Sequence, residues 1–319
     1  VTRVRRGALI VIAIVAAAGA WWWTQARYGS GPAATDLQAP VSPPIPPVPE
    51  PGAVVMPLPL PERPAPPAAA APAPPRPPVP AAVLRLPFGV GEVATYDVSW
   101  MGLSAGTVEF TVQAGGAPGA AFRFELTAST SPLVSAFFEA RDRFWTVATH
   151  DLFPLEHGQE LQEGRRHVRR LAVFDRGARL VRVGDGVLAG ASDGISYALP
   201  PSARDPLAAM YYVRSRDWDR EPDMRLLVSD LGADLGVELR SGPTERVTAE
   251  GLPQLARRMA VRMEYVAAKV PAPRATVWLS TDDRRIPLLT EVETEYGVFR
   301  MALTRYAASS GAPAASRPR

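Results

Sequence analysis

The sequence predicts a mainly β protein. It would be one large curved antiparallel sheet, a half-barrel or open barrel, with one or two short helices, preceded by a membrane helix and a disordered proline-rich linker. Three observations predict this. From Gly91 onward, apolar and polar residues alternate with period two in run after run, as on strands with one buried and one wet face. One later stretch alone combines helical spacing with a strong cap. Many of the 35 prolines fall between Pro32 and Pro87, where no core can form, so the sheet has to be built from Leu84–Ala307. A sheet of that size must curl or close, or its edges stay exposed.

Val1–Arg6 is short and basic, with Arg3, Arg5 and Arg6. Gly7–Ala20 is apolar and uncharged, and Trp21, Trp22 and Trp23 follow it. Ala18-Gly19-Ala20 fits the cleavage rule of a signal peptide with Leu9–Val15 as its apolar stretch. Alternatively, Val1–Trp23 is an anchor, with Gly7–Trp23 as a membrane helix at the short end of the roughly 17–25-residue spanning range. Its tryptophans would lie at the interface and its arginines in the cytoplasm. The anchor is the preferred expectation, because bulky Trp is awkward at a cleavage junction. Both readings put the rest of the chain in the periplasm, either attached to the bacterial inner membrane by a single pass or exported free of it.

Thr24–Val83 reads as a disordered linker. Proline fixes φ and lacks an N–H, so stretches such as PPIPPVPEP and APAPPRPPVP favour extended polyproline II rather than helix or strand. At roughly 3.1 Å per residue, about 45 of its residues could reach on the order of 140 Å. A docking site for a proline-reading module is the weaker reading, because alanine and valine dilute any repeat.

The domain opens with a hairpin from Gly91 to Val112. Tyr96, Val98 and Trp100 alternate with polar residues, and after a Met101–Gly106 turn so do Val108, Phe110 and Val112. Phe122, Phe124 and Leu126 continue the pattern. Pro132–Ala140 breaks it and predicts a short helix. Strands follow at Asp142–Thr149, His167–Phe174 and Arg179–Val183, with a turn at Asp175–Gly177. Asp205-Pro206 then opens a helix running to Trp218. Aspartate caps free N–H groups, proline is pre-set for the first helical position, and Leu207, Met210, Tyr211 and Arg214 share one side. Short strands are expected at Met224–Ser229, Gly236–Arg240 and Arg246–Ala249. A clean run covers Met259–Tyr265, and Thr276–Leu279 and Pro287–Tyr296 flank a turn at Thr281–Arg285. Phe299–Leu303 is the last strand, and Ala308–Arg319 is a disordered tail.

Composition excludes several functions. The net charge of +3 equals the contribution of Arg3, Arg5 and Arg6, so the folded part lacks the electrostatic footprint of a nucleic-acid binder. The absence of cysteine removes disulfides, thiolate catalysis and cysteine-ligated metals.

No residue set compels a chemistry. Gly190-Ala191-Ser192-Asp193-Gly194 matches the G-x-S-x-G nucleophile elbow, which needs a strand before it and a helix after it. Ile195–Leu199 and Pro200-Pro201 follow instead, so a glycine-rich loop fits better. His150, His157 and His167 have no metal-ligand spacing, although Asp151 or Glu156 could complete a site if they converged. Glu291, Glu293 and Glu295 share a strand face. They fit a solvated row paired with arginines near Arg300 better than a catalytic site. Arg141-Asp142-Arg143 reads as charge pairs at a strand start. The candidate binding surface is the apolar face: Tyr96, Trp100, Phe110, Phe124, Trp145, Met259, Met263 and Phe299. Core packing is its ordinary role. A strongly curved sheet capped by the Pro206–Trp218 helix could keep part of it open for an acyl chain, with methionines adapting to irregular shapes.

The opening pattern G-E-x-x-x-Y-D-V-S-W-x-G-x-x-A-G, Gly91 to Gly106, resembles the signature of a bacterial exported family known as a domain of unknown function. Two later pieces agree: Asp205-Pro206-Leu207 with Tyr211-Tyr212-Val213-Arg214, and Val277-Trp278-Leu279-Ser280-Thr281-Asp282-Asp283 through Arg285-Ile286-Pro287. The likeness covers roughly Leu84–Tyr306. It implies an exported, mostly β domain, with a further association to the open half-barrels of the lipoprotein carriers LolA and LolB. It carries over no catalytic residues. The expectation is a non-catalytic domain, without metal or cofactor, that binds a lipid or other apolar envelope ligand. The alternative is an interaction or scaffold module with an envelope protein partner, and a hydrolase using Ser192 ranks last.

Overall fold

Tyr96 and Val98 are buried while Thr95, Asp97 and Ser99 between them are half-exposed. This alternation, repeated along the chain, builds the whole sheet. The computed structural model describes residues 86–186, 194–231, 233–266, 270–271, 273–294 and 297–309. The N-terminal apolar segment, the linker, Ser192, Glu295 and the tail beyond Ser309 lie outside them. Among the described residues no helix is long and apolar enough to cross a membrane.

In chain order the elements are β1 (Val93–Trp100), β2 (Leu103–Ala114), β3 (Phe122–Thr130), α1 (Pro132–Ser135), β4 (Ala140–Ala148), β5 (Pro154–Glu163), β6 (Arg166–Asp175), β7 (Leu180–Asp185) and β8 (Ile195–Ala198). Then come α2 (Pro206–Arg214), β9 (Asp223–Asp230), β10 (Ala233–Ala249), β11 (Leu252–Tyr265), β12 (Val270–Pro271), β13 (Arg274–Ser280), β14 (Pro287–Thr294) and β15 (Gly297–Ala307). The strands form one sheet in the order β8-β7-β6-β5-β4-β3-β2-β1-β15-β14-β13-β11-β10-β9, with β12 beside β11. The first and last strands pair antiparallel at its middle, with Trp100 opposite Phe299.

The sheet rolls until its two edges meet. The segment after β8 reaches β9, where the Arg204 N–H donates to the Leu227 carbonyl (3.0 Å) and the Ser229 N–H donates to the Arg204 carbonyl (2.8 Å). Phe153, Phe174, Val181, Leu199 and Leu231 fill the junction. Helix α2 lies inside the roll. Leu207 and Tyr211 pack with Phe124, Phe144 and Leu303, while Ala209 packs with Val237, Met259 and Val261. Five of its residues, Leu207, Ala208, Ala209, Tyr211 and Arg214, are buried.

Several elements differ from the sequence expectation. The Pro132–Ala140 helix is a single turn, and α2 stops at Arg214. There the Trp218 indole N–H donates to the Val213 carbonyl (3.1 Å) and its ring joins the core. The two short strands expected at Gly236–Arg240 and Arg246–Ala249 are one strand, β10, interrupted by a register shift between Ser241 and Thr244. Strands β5 and β8 were not expected at all.

Trp145 departs from its expected face. It pairs with Glu125 and Gly158, opposite in sense to inward-facing Phe144. There it is sealed by Arg123, Arg143 and Arg169, whose guanidinium carbons lie 5.6, 5.8 and 5.8 Å from its ring centre. Its indole N–H donates to Glu156 (2.7 Å). Arginine stems and cation–π contact bury an aromatic on the polar side of a sheet.

The ring lies flat on Gly158, where an added Cβ would come within 2.1 Å of Trp145 Cζ2. Gly158→Ala is therefore expected to unseat Trp145 and destabilise the domain by about 1–3 kcal/mol. The check is a lower urea midpoint with unchanged slope, together with a red-shifted tryptophan emission.

Candidate functional site

Each end of α2 is fixed by a buried charged cluster, and an apolar pocket lies between them. At the N-terminus, Asp205 caps the helix, its Oδ1 accepting from the N–H groups of Leu207 (2.9 Å) and Ala208 (3.3 Å). The same carboxylate accepts from the Thr146 hydroxyl (2.5 Å) and lies 3.5 Å from His157 Nδ1. The other imidazole nitrogen, Nε2, is 3.5 Å from Asp230. Thr146, His157, Asp205 and Asp230 are all buried. One imidazole thus sits between two carboxylates, joining β5, the cap of α2 and β9.

Burial alone would discharge His157, but the hydrogen bond its imidazole donates to Asp230 and the charges of Asp205 and Asp230 outweigh it. The imidazole therefore holds its proton above the ordinary value of 6.5. Burial raises both carboxylates above 3.8, partly offset by the imidazole. The folded cluster therefore binds more protons than the unfolded chain. A raised histidine lends stability that is complete below 6.5 and is lost as pH rises through its folded value. The raised carboxylates act in the same direction from 3.8 upward.

At the other end, Arg214 makes a two-pronged pair with Glu92, Nη1 to Oε1 at 2.6 Å and Nη2 to Oε2 at 3.0 Å. Its Nη2 and Nε also donate to the Arg284 carbonyl (3.1 and 3.4 Å). The Tyr306 hydroxyl donates to Glu92 Oε2 (2.8 Å). Arg284 is placed by the Asp282 carboxylate, which also accepts from Ser280 (2.7 Å). The three motifs quoted above therefore meet here: Glu92 from the opening, Arg214 from the helix and the Ser280–Arg284 turn. Burial would lower Arg214, but the Glu92 charge and hydrogen bonds raise it above its already high ordinary value. Arg214 stays charged.

Between these clusters, the face of α2 carrying Pro206, Ala209, Met210 and Val213 looks across a cavity of about 110 Å³. The facing wall includes Leu226, Val237, Met259, Val261, Met263 and Val277, with Tyr96, Phe110 and Met301 closing one side. The lining is apolar except for Tyr96, Arg214 and Thr290 and contains no carboxylate or imidazole. Burial raises the Tyr96 phenol far above 10, so it remains protonated.

Of the eight residues expected on a binding face, Tyr96, Phe110, Met259 and Met263 line this pocket. Phe124 lies on the other side of α2, stacked on Tyr211 at 4.0 Å. Trp100 and Phe299 stack at 6.0 Å near the end of the sheet, and Trp145 is on the opposite face. The three histidines do not gather. His157 is buried, His167 contacts Glu160 (3.1 Å) on the surface, and His150 lies against Phe122. Among the described residues no group of three or more potential ligands is arranged for a metal. Glu291 pairs across strands with Arg300 at 3.0 Å, Arg141 with Glu139, and Arg143 with Glu125 through two 2.8 Å contacts. Asp142 is different. Burial, with Glu163 nearby, pushes it up to about 7.

Sequence reasoning placed Asp205 as a cap and named His157, but with Asp151 or Glu156 as its partners; it missed Asp230 and the Glu92–Arg214 pairing. Partners 122 positions apart, as Glu92 and Arg214 are, leave no periodic trace. The one usable signal was that both residues sit in the quoted motifs.

Two outcomes follow. Arg214→Met strands the Glu92 carboxylate and should cost about 3–5 kcal/mol, measured by urea unfolding; adding Glu92→Leu to it should restore part of the loss. Raising the pH above neutral should loosen the first turn of α2. Hydrogen exchange at the Leu207 and Ala208 amides, corrected for intrinsic rate, should speed up in the native protein, and that acceleration should vanish in His157→Gln.

Residues 95–304 match the family model described as Protein of unknown function (DUF3108). No curated protein sequence matches the chain. Among solved structures, the beta-barrel-like protein of domain of unknown function DUF1849 from Brucella abortus is 11% identical. It aligns with TM-score 0.50 over 70% of this chain and 99% of its own. A Bacteroides fragilis protein with a YmcC-like fold is 13% identical, with TM-score 0.31 over 71% and 100% of the two chains. A hypothetical protein from Chlamydia trachomatis is also 13% identical, with TM-score 0.27 over 71% and 92%. At this identity the Brucella match speaks to fold alone, and it agrees with a rolled, barrel-like sheet. The matched region runs from β1 to β15 and takes in both ends of α2; the chain belongs to the DUF3108 family.

Proposed function

We propose that this domain is a non-catalytic periplasmic binding module, held at the inner membrane by Gly7–Trp23, whose pocket under α2 takes a lipid or another apolar ligand of the cell envelope. The pocket is the observation that carries the reading: an apolar, helix-covered cavity whose only ionisable lining groups, among the described residues, are the Tyr96 phenol, held protonated, and an arginine paired with Glu92. Such a lining binds by exclusion of water rather than by reaction. Kinship with the half-barrel lipoprotein carriers, suggested by Gly91–Gly106, belongs to the same proposal.

The size of the cavity limits it. An engineered cavity of about 150 Å³ admits benzene, so about 110 Å³ admits the end of an acyl chain while α2 stays seated. A longer ligand requires α2 to shift. The same observation favours a second reading, in which the filled roll is a scaffold for an envelope protein partner and its surface does the work.

A fluorescent fatty acid titrated into the detergent-free full chain separates the two. Saturable binding is expected, and Val277→Phe, which fills the cavity, should weaken it at least about tenfold without lowering Tm. Binding that is indifferent to Val277→Phe would remove the pocket from the proposal. No binding at all would favour the scaffold.

A further inference from the structure

We propose that the end of the sheet formed by the β1–β2 turn and the β3–β4 connection is a docking surface for a lipid bilayer. The inference rests on the apolar-ligand reading above and says where that ligand is exchanged. Met101 and Leu103 in the first connection are 74% and 60% exposed, and Leu133 and Phe137 in the second are 61% and 79% exposed. The two connections are tied side by side. Ser131 donates its hydroxyl to the Ser104 carbonyl (2.9 Å) and its N–H to the Ala105 carbonyl (2.9 Å). Val298, at the start of the neighbouring β15, is also exposed.

The fold does not require these residues. Met101 and Gly102 have φ of 50° and 81°, the two-residue turn that Asn-Gly normally fills. A bulky methionine is an outlier at positive φ, and here it stands at the apex with its side chain in water. Neither Val98–Val108 nor Ala128–Phe138 contains a charged residue, whereas 21% of the chain is charged. Uncharged tips cross into a headgroup region without stripping water from an ion. Protruding side chains with no groove between them suit a fluid interface, which needs no matching shape. Trp100, at the base of the tips, has the amphipathic ring that settles at such interfaces.

Two further features favour a bilayer. The described chain begins at Leu86 and joins the sheet at its opposite end, where the Gly91 N–H donates to the Val112 carbonyl (2.8 Å). The chain preceding Leu86 therefore enters the sheet at the end away from the tips. The inner face also connects pocket to tips. Tyr96 and Met301 line the cavity, and the next inward residues along their strands, through Val98, lead to the stacked Trp100 and Phe299.

The chain has no cysteine, so single labels are simple to place. The full chain carrying Met101→Cys, Phe137→Cys or, at the opposite end, Leu252→Cys is labelled with an environment-sensitive fluorophore. It is then mixed with vesicles of phosphatidylethanolamine and phosphatidylglycerol, with and without spin-labelled lipid. A blue shift and lipid quenching at the first two positions, and neither at Leu252→Cys, are expected. A Leu133→Cys-labelled chain with Met101→Asn and Phe137→Ser should need on the order of tenfold more lipid for the same shift, with fatty-acid binding unchanged. Tips that stay in water, labels that shift equally at both ends, or tips shielded by rising chain concentration without vesicles would overturn the proposal, the last in favour of a second copy. Unshifted tips with fatty acid still bound defeat docking alone; shifted tips without fatty-acid binding defeat the pocket alone.

Discussion

The pair between Glu92 and Arg214 sets where everything else can go. Both side chains are almost sealed from water, with exposures of 3% and 4%. Two ions in such a place are tolerated only if every lobe and prong is matched. The match draws on four separate parts of the chain: the approach to β1, the end of α2, the turn after β13 and Tyr306 near the end of β15. Bringing these together obliges the first and last strands to pair at the middle of the sheet and obliges α2 to enter the roll. The pair adds little net stability over an apolar substitute of the same shape. Its effect is to exclude other seats for the helix, because any shift leaves a buried charge alone.

What the sequence disclosed follows the same division between local and distant interactions. Alternation revealed β1 to β4 and most of the second half, since each strand has one apolar and one polar face. It failed at β5 because that strand buries His157 and Gln159, the former in a polar cluster, and a buried polar residue reads as an exposed one. Trp145 failed for the opposite reason: an aromatic on the wet face, hidden by arginines, reads as core. The Asp205-Pro206 start of α2 was legible because a cap is a local event. Its end was not, because Trp218 folds back after Arg214 rather than extending the helix. The pocket was half legible. Tyr96, Phe110, Met259 and Met263 line it, but the helical residues that narrow it could be placed only with the roll in view.

The two ends of α2 are not equally secure, and this bears on how a nearly filled interior could admit anything. At the Arg214 end the guanidinium and carboxylate are fully engaged, and the helix C-terminus is a favourable place for the cation. At the Asp205 end, and two residues along β5 from His157, three buried acceptors, Asp205 Oδ2, Asp230 Oδ2 and Gln159 Oε1, have no hydrogen-bond partner among the described residues. Each unmatched acceptor keeps its desolvation cost, on the order of 1–3 kcal/mol. Opening that end to water returns this cost, whereas opening the other end breaks a matched ion pair. The easier motion of α2 is therefore a pivot about Arg214 that lifts Pro206, Ala209 and Met210 from the facing strands and widens the cavity from the histidine side. The middle of the helix resists, since Leu207 and Tyr211 are fully buried and each is worth about 1.5–3 kcal/mol of burial. An apolar ligand that replaced those contacts as the helix lifted would offset the loss. On that balance, a helix that fills the interior is compatible with a binding role as long as what enters is as apolar as what it displaces.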